Sequence, residues 1–148
     1  MKTRWTDTVN KDAPLQEYPR PQMKRNIWSN LNGQFDYAIS DSMEEIPTEY
    51  EGKITVPFAI EAPLSGVERR LNPMDILWYR KSFFLPEEYE SKHVILHFGA
   101  VDWECRVYIN GQFVGGHTGG YCPFSFDITE YLVEGENILN VSVFDPTD

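Results

Sequence analysis

The dipeptide Asn110-Gly111, set between two runs of alternating polarity, restricts the fold more tightly than any other feature of this chain. Before it, Val101, Trp103, Cys105, Val107 and Ile109 share one parity, while Asp102, Glu104, Arg106 and Tyr108 share the other. A period of two belongs to a strand with one buried face. Gln112-Phe113-Val114 follows directly. Asn-Gly supplies the two positive φ angles of a type I′ turn, so the segment is predicted as a β-hairpin with Trp103 and Cys105 on its core face.

The same period recurs along the chain. Phe35, Tyr37 and Ile39 fall on one face, and Ile54 and Val56 lie in a short run stopped by Pro57. Residues 76–85 read as a strand ended by Pro86. Val94, Leu96 and Phe98 alternate, residues 124–128 form another short run, and Leu139, Val141 and Val143 point inward from the last one. Thr129 is placed to cap a single turn through Leu132. Gly115 to Gly120 lack the Lys-Ser/Thr ending of a phosphate loop and precede no helical pattern, so they predict a bent strand or bulge. Residues 1–25, with three prolines, read as an extended arm, and residues 58–75 as a long loop. About eight short strands without a long helix predict an all-β sandwich or barrel over residues 26–148.

Several function classes are disfavoured. A formal charge of −10 does not suit nucleic acid or an anionic membrane as partner. No run approaches the ~18 apolar residues of a membrane span. The start, Met1 to Asp7, lacks the apolar centre of a secretion signal, so the chain is expected in the cytoplasm, or in the periplasm or outside the cell if a signal has been removed. Cys105 falls on the apolar parity and reads as a buried thiol; with Cys122 it makes neither a disulfide framework nor a zinc pair. His117 has no second ligand nearby in sequence, and neither a metal nor a cofactor is expected.

An ordered series of segments then carries a resemblance. Asn110-Gly111, Gly119-Gly120-Tyr121, Pro123-Phe124, Asp127-Ile128-Thr129 and the run from Gly135 to Leu139 succeed one another, preceded by Trp28, Leu31-Asn32-Gly33, Val56-Pro57 and Trp78-Tyr79-Arg80. In this order they resemble the N-terminal domain of glycoside hydrolase family 2, the family of β-galactosidases, β-glucuronidases and β-mannosidases, over roughly residues 26–145. The resemblance implies a jelly-roll sandwich similar to galactose-binding domains, with the catalytic glutamates on a separate barrel domain. Retaining cleavage needs two carboxyls about 5–5.5 Å apart. None of the 23 acidic residues lies in the Asn-Glu-Pro setting that the resemblance leads one to seek, and a barrel needs ~250 residues. No catalytic residue is therefore expected here, and the family's closing strands, with their Ser-Gly-Ile-Trp segment, are expected beyond Asp148.

The resemblance also implies binding residues. Asp145, after the last strand, corresponds to an acidic strand end that in some family members reaches toward the sugar; a carboxylate accepts two hydrogen bonds from neighbouring hydroxyls. An Asp before Pro is equally a turn former. In the 58–75 loop, Glu61 and Asn72 are the candidate hydrogen-bonding groups; Arg69-Arg70 could clamp an acidic sugar or another domain, but read better as surface charge. Asn140-Val141-Ser142 matches a glycosylation acceptor but lies within a strand. The expected role is a sugar-binding and scaffolding domain of a retaining β-glycosidase, with carbohydrate and a catalytic barrel as partners. The alternatives are a free-standing carbohydrate-binding module, or a structural sandwich that self-associates into a homo-oligomer through open strand edges.

Overall fold

The computed structural model describes Arg4 and residues 6–146. Residues 1–3, Trp5 and 147–148, on which the leader and chain-end readings partly rest, lie outside the described residues. The chain forms two compact units, one of Met1–Phe35 with Lys53–Arg70, the other of Asp36–Gly52 with Leu71–Asp148. Among the described residues there are eight strands and no α-helix, only 3-10 turns of three residues.

The strands are β1 (Gly33–Ser40), β2 (Gly52–Val56), β3 (Ile76–Phe84), β4 (Ile95–Phe98), β5 (Glu104–Ile109), β6 (Gln112–Thr118), β7 (Phe124–Asp127) and β8 (Glu136–Phe144). In the second unit they run β1-β3-β8-β5-β6 across one antiparallel sheet, and β4-β7 make the other. The all-β sandwich is thus present. The hairpin closes with Ile109 opposite Gln112, and its turn residues have φ angles of 51° at Asn110 and 80° at Gly111. Val107 faces Gly115 while Tyr108 faces Phe113, which leaves Val114 as the extra residue of a bulge. At Gly115 a Cβ would lie 2.5 Å from the Phe126 ring, so only glycine lets β6 approach β7 this closely.

One face of the larger sheet holds the expected core: Cys105, Val107, Ile109, Leu139 and Val141 are buried, joined by Leu77. Opposite, the Phe98 and Phe124 rings of the smaller sheet stack at 4.7 Å. Fully burying one such aliphatic side chain contributes about 1.5–3 kcal/mol, so this face supplies much of the stability of the fold.

Alternation also implied a solvated second face, and the structure differs there. Ala38, Ile76, Trp78 and Tyr108 cluster on it, and Met43, Ile46 and Tyr50 of the β1–β2 connection pack over them like a strap. Hydrogen bonds hold the strap down. Tyr108 Oη and Ser142 Oγ both donate to the Met43 carbonyl at 2.9 Å, Trp78 Nε1 donates to Ser42 O at 2.9 Å, and Asn140 Nδ2 donates to Tyr50 Oη at 2.9 Å. Arg106 pairs with Glu44 at the rim. Polar sheet residues thereby satisfy a connection that would otherwise hide unpaired backbone groups.

In the first unit, Asn30 Nδ2 donates to the Leu15 carbonyl and Gln34 Nε2 to Thr55 Oγ1, at 3.0 and 2.7 Å. Tyr18 meets the Trp28 ring edge-on, 4.8 Å between centroids. Part of the predicted 58–75 loop is ordered by its own bonds. Ser65 Oγ donates to Ile60 O and accepts from Val67 N, around a 3-10 turn at Pro63–Ser65.

Candidate functional site

Strands β5 and β8 lie side by side, so the loops at their two ends can be read as two separate sites. At the Ile109 end the motif residues turn inward. Asn110 Nδ2 donates to Tyr131 O and to Asn137 Oδ1, at 2.9 and 2.8 Å, while Asn110 Oδ1 accepts from Ile138 N. Asn137, fully buried, accepts from Val133 N and donates back to Val133 O. The two amides share one bond and spend the rest of their hydrogen-bonding capacity on nearby backbone groups, which closes this end.

The Asp127-Ile128-Thr129 motif is likewise architectural. Asp127 Oδ1 accepts from the Thr129 backbone N and hydroxyl, and Thr129 Oγ1 in turn accepts from Val94 N. Thr129 therefore pins the turn to the start of β4 rather than capping the 3-10 turn, which has no side-chain cap. These bonds, with one from His93, hold the Asp127 carboxyl at about 2, below its ordinary 3.8.

The Glu104 end is open. The order of the strands collects there the residues before β3, before β5, after β6 and after β8. Trp103 N donates to Phe144 O at 3.2 Å and Gly119 N to Trp103 O at 2.8 Å, which ties three of these segments together. Ile76 pairs with Phe144, bringing Asn72–Asp75 beside the exit of β8. Tyr121 is 93% exposed and Trp103 45%. A Cβ on Gly120 would sit 2.2 Å from Asp102 Oδ1, so Gly120 forms the seat of that carboxylate.

Two of the three residues expected to bind sugar, Asn72 and Asp145, belong to this end; Glu61 belongs to the first unit and is exposed. Asn72 is fixed by Asp75, whose Oδ2 accepts from both its backbone N and its Nδ2, at 2.8 and 3.0 Å. Asp145 is half-buried just past Phe144. The sequence reading missed Trp103 and Tyr121. Parity placed Trp103 in the core, but β5 begins only at Glu104, so alternation does not govern the residue before it. No local signal marked the exposure of Tyr121, which follows the Gly119-Gly120 turn.

Other candidates resolve as structure. Cys105 is buried and Cys122 exposed, and both are free thiols. Burial pushes the Cys105 thiol up to about 11. His117 stacks on Phe124 at 4.1 Å, with its Nε2 buried and unpartnered. Asn140 is 3% exposed and bonded to Tyr50, so the folded strand offers no glycosylation acceptor there. Among the described residues no group of three His, Cys, Asp or Glu could hold a metal ion, and no helix is long and apolar enough to cross a membrane.

A jelly-roll sandwich similar to galactose-binding domains, with aromatic and carboxylate side chains gathered on the loops of one end, has the build of a sugar-recognition domain. Residues 50–148 match the sugar binding domain of glycosyl hydrolases family 2, and the chain belongs to that family. It is 39% identical to a β-galactosidase of Priestia megaterium across 91% of its own length and 13% of that protein's. A 70-residue stretch is 51% identical to a β-galactosidase of Thermoanaerobacter pseudethanolicus, covering 46% of this chain and 9% of the relative. Among solved structures, the β-glucuronidase of Bifidobacterium dentium superposes with a TM-score of 0.61 at 29% identity, over 76% of this chain and 19% of that one. The chain therefore spans only a small part of the proteins it matches.

Proposed function

We propose that this chain is the non-catalytic sugar-binding and scaffolding domain of a retaining β-glycosidase that hydrolyses terminal β-linked sugars. The observation that carries the reading is the family match over residues 50–148, in a chain that covers 13% of a β-galactosidase similar to it along nearly its whole length. In this reading residues 26–148 are the sandwich and residues 1–25 its arm. The sandwich packs on a catalytic barrel and lends Asp145, with Glu61 and Asn72, to the rim of the barrel's pocket. Its carboxylate and amide groups hydrogen-bond sugar hydroxyls, while the barrel supplies the two carboxyls that perform the cleavage.

The test is to express the full reading frame and the 148-residue chain in parallel, and to assay both with chromogenic β-galactoside and β-glucuronide. The full product is expected to turn over one of them, and the chain alone neither. Turnover by the isolated chain, or a reading frame with no barrel after residue 148, overturns the proposal.

A further inference from the structure

The open end of the sheet has a composition that narrows its ligand. Tyr121 is almost wholly exposed, and Trp103, on a neighbouring segment of this end, is half so. Exposed tryptophan and tyrosine beside fixed polar groups suit ring recognition, because each pairs an apolar face with a polar edge. Both rings stand on ordered backbone, because the Gly119–Trp103 and Trp103–Phe144 bonds fix the segments that carry them. Next to them lie Asp102, seated against Gly120, and Asp145 and Asp75 on the adjoining strand ends. Residues 71–76, 99–104, 117–123 and 143–146 contain no Lys or Arg.

We infer that Trp103 and Tyr121 form a platform for the apolar C–H face of a neutral hexopyranose, with Asp102 accepting hydrogen bonds from its hydroxyls. The inference rests on the sugar-recognition reading above and selects within it. Aromatic faces carry partial negative charge and attract the weakly positive hydrogens on one side of a pyranose. A carboxylate hydrogen-bonds hydroxyls more strongly than a neutral acceptor does. Asp102, next to Trp103 in sequence and seated against the residue before Tyr121, is close enough to a sugar on the rings to repel a uronate. The end is thus suited to a galactose-type or glucose-type ring and set against glucuronate, although relatives of both kinds occur.

The experiment titrates the 148-residue chain with methyl β-galactopyranoside, methyl β-glucopyranoside and sodium glucuronate, followed by tryptophan fluorescence and by saturation-transfer NMR. At least one neutral glycoside is expected to bind saturably and glucuronate to bind at least about tenfold more weakly. W103A and Y121A should each lower affinity about tenfold, the loss of one stacked ring. D102N should weaken neutral-sugar binding and narrow the gap to glucuronate. Circular dichroism of each variant separates lost binding from lost folding; should W103A unfold, W103F and Y121A carry the test.

Binding that survives both ring variants overturns the platform, and glucuronate binding as tight as the neutral sugars overturns the selectivity. No binding of any sugar would reassign the rings to protein contact. None of these outcomes touches the proposal that a barrel follows, which the full reading frame tests separately.

Discussion

Strands β5 and β8 end in two different environments, although the same ladder joins both ends. At the Ile109 end, Asn110 and Asn137 direct their amides at each other and at nearby backbone groups, leaving that end closed. At the Glu104 end, Trp103 and Tyr121 keep ring surface in water and Asp102 is exposed. Both ends bear family-like motifs, so motif content alone does not separate scaffold from site. What separates them is whether the polar groups are already used inside the molecule, since Phe113 beside the closed end also keeps half its surface in water. The closed end fixes the register of the strands, and the open end spends that register on presenting side chains.

The sharpest way to break the comparison is to open the closed end. N137A removes the acceptor for Val133 N, the donor to Val133 O and one partner of Asn110, and leaves a cavity where a fully buried side chain stood. Each unsatisfied group costs about 1–3 kcal/mol, so a loss of roughly 3 kcal/mol is expected, a large share of a typical domain's ~5–15 kcal/mol. Urea unfolding with an unchanged slope would measure it. A loss below about 1 kcal/mol would mean that the amide pair is dispensable.

An intermediate effect is expected on the strapped face. Y108F deletes one of two donors to the Met43 carbonyl, and Ser142 Oγ remains to satisfy it. Because no acceptor is orphaned, the cost should be near ~1 kcal/mol, a single net hydrogen bond. The double variant Y108F/S142A does orphan the carbonyl. Its loss should exceed the sum of the single losses, which a double-mutant cycle by thermal or urea unfolding would detect.

At the open end, substitution should alter stability least where the ring is most exposed. Y121A removes a side chain almost wholly in water and is expected within about ±0.5 kcal/mol of the parent, whereas W103A, which gives up a ring more than half buried, should cost about 1 kcal/mol. A fall of several kcal/mol in either would show that the ring supports the fold.

The strand pattern was readable because period-two alternation and Asn-Gly act locally: β5, β6 and the inward set on β8 follow from them, while the bulge falls at Val114, one residue before the glycine run that suggested it. The outer layer was not readable in that way. Met43, Ile46 and Tyr50 stand at unequal spacings among the acidic residues of 41–50, and only the tertiary fold brings them over Trp78 and Tyr108. Tyr108 shares its parity with Glu104 and Arg106, so alternation assigned it to solvent. Asn72 and Asp145 were legible as polar loop residues. Their gathering at one end depends on Ile76 of β3 pairing with Phe144 of β8, far along the chain, which no local signal encodes.

The smallest predicted effect lies away from both ends, at the turn after β7. The Asp127 carboxyl is held at about 2 in the folded chain against 3.8 ordinarily, chiefly by hydrogen bonds from Thr129 and then from His93. The folded state therefore binds a proton there less readily than the unfolded state. The contribution is complete above about pH 4 and fades as the pH falls toward 2. D127N keeps an oxygen that can accept from Thr129 N and Oγ1 but cannot ionise. Many carboxylates titrate over the same range, so the readout is the difference in Tm between parent and variant, followed from pH 6 down to pH 2. That difference should favour the parent at the upper end and shrink toward zero at the lower. A gap that stays constant would mean that the turn depends on the shape of the side chain and not on its charge, and Asp127 would then belong with Asn110 and Asn137 as a neutral fastening of the scaffold.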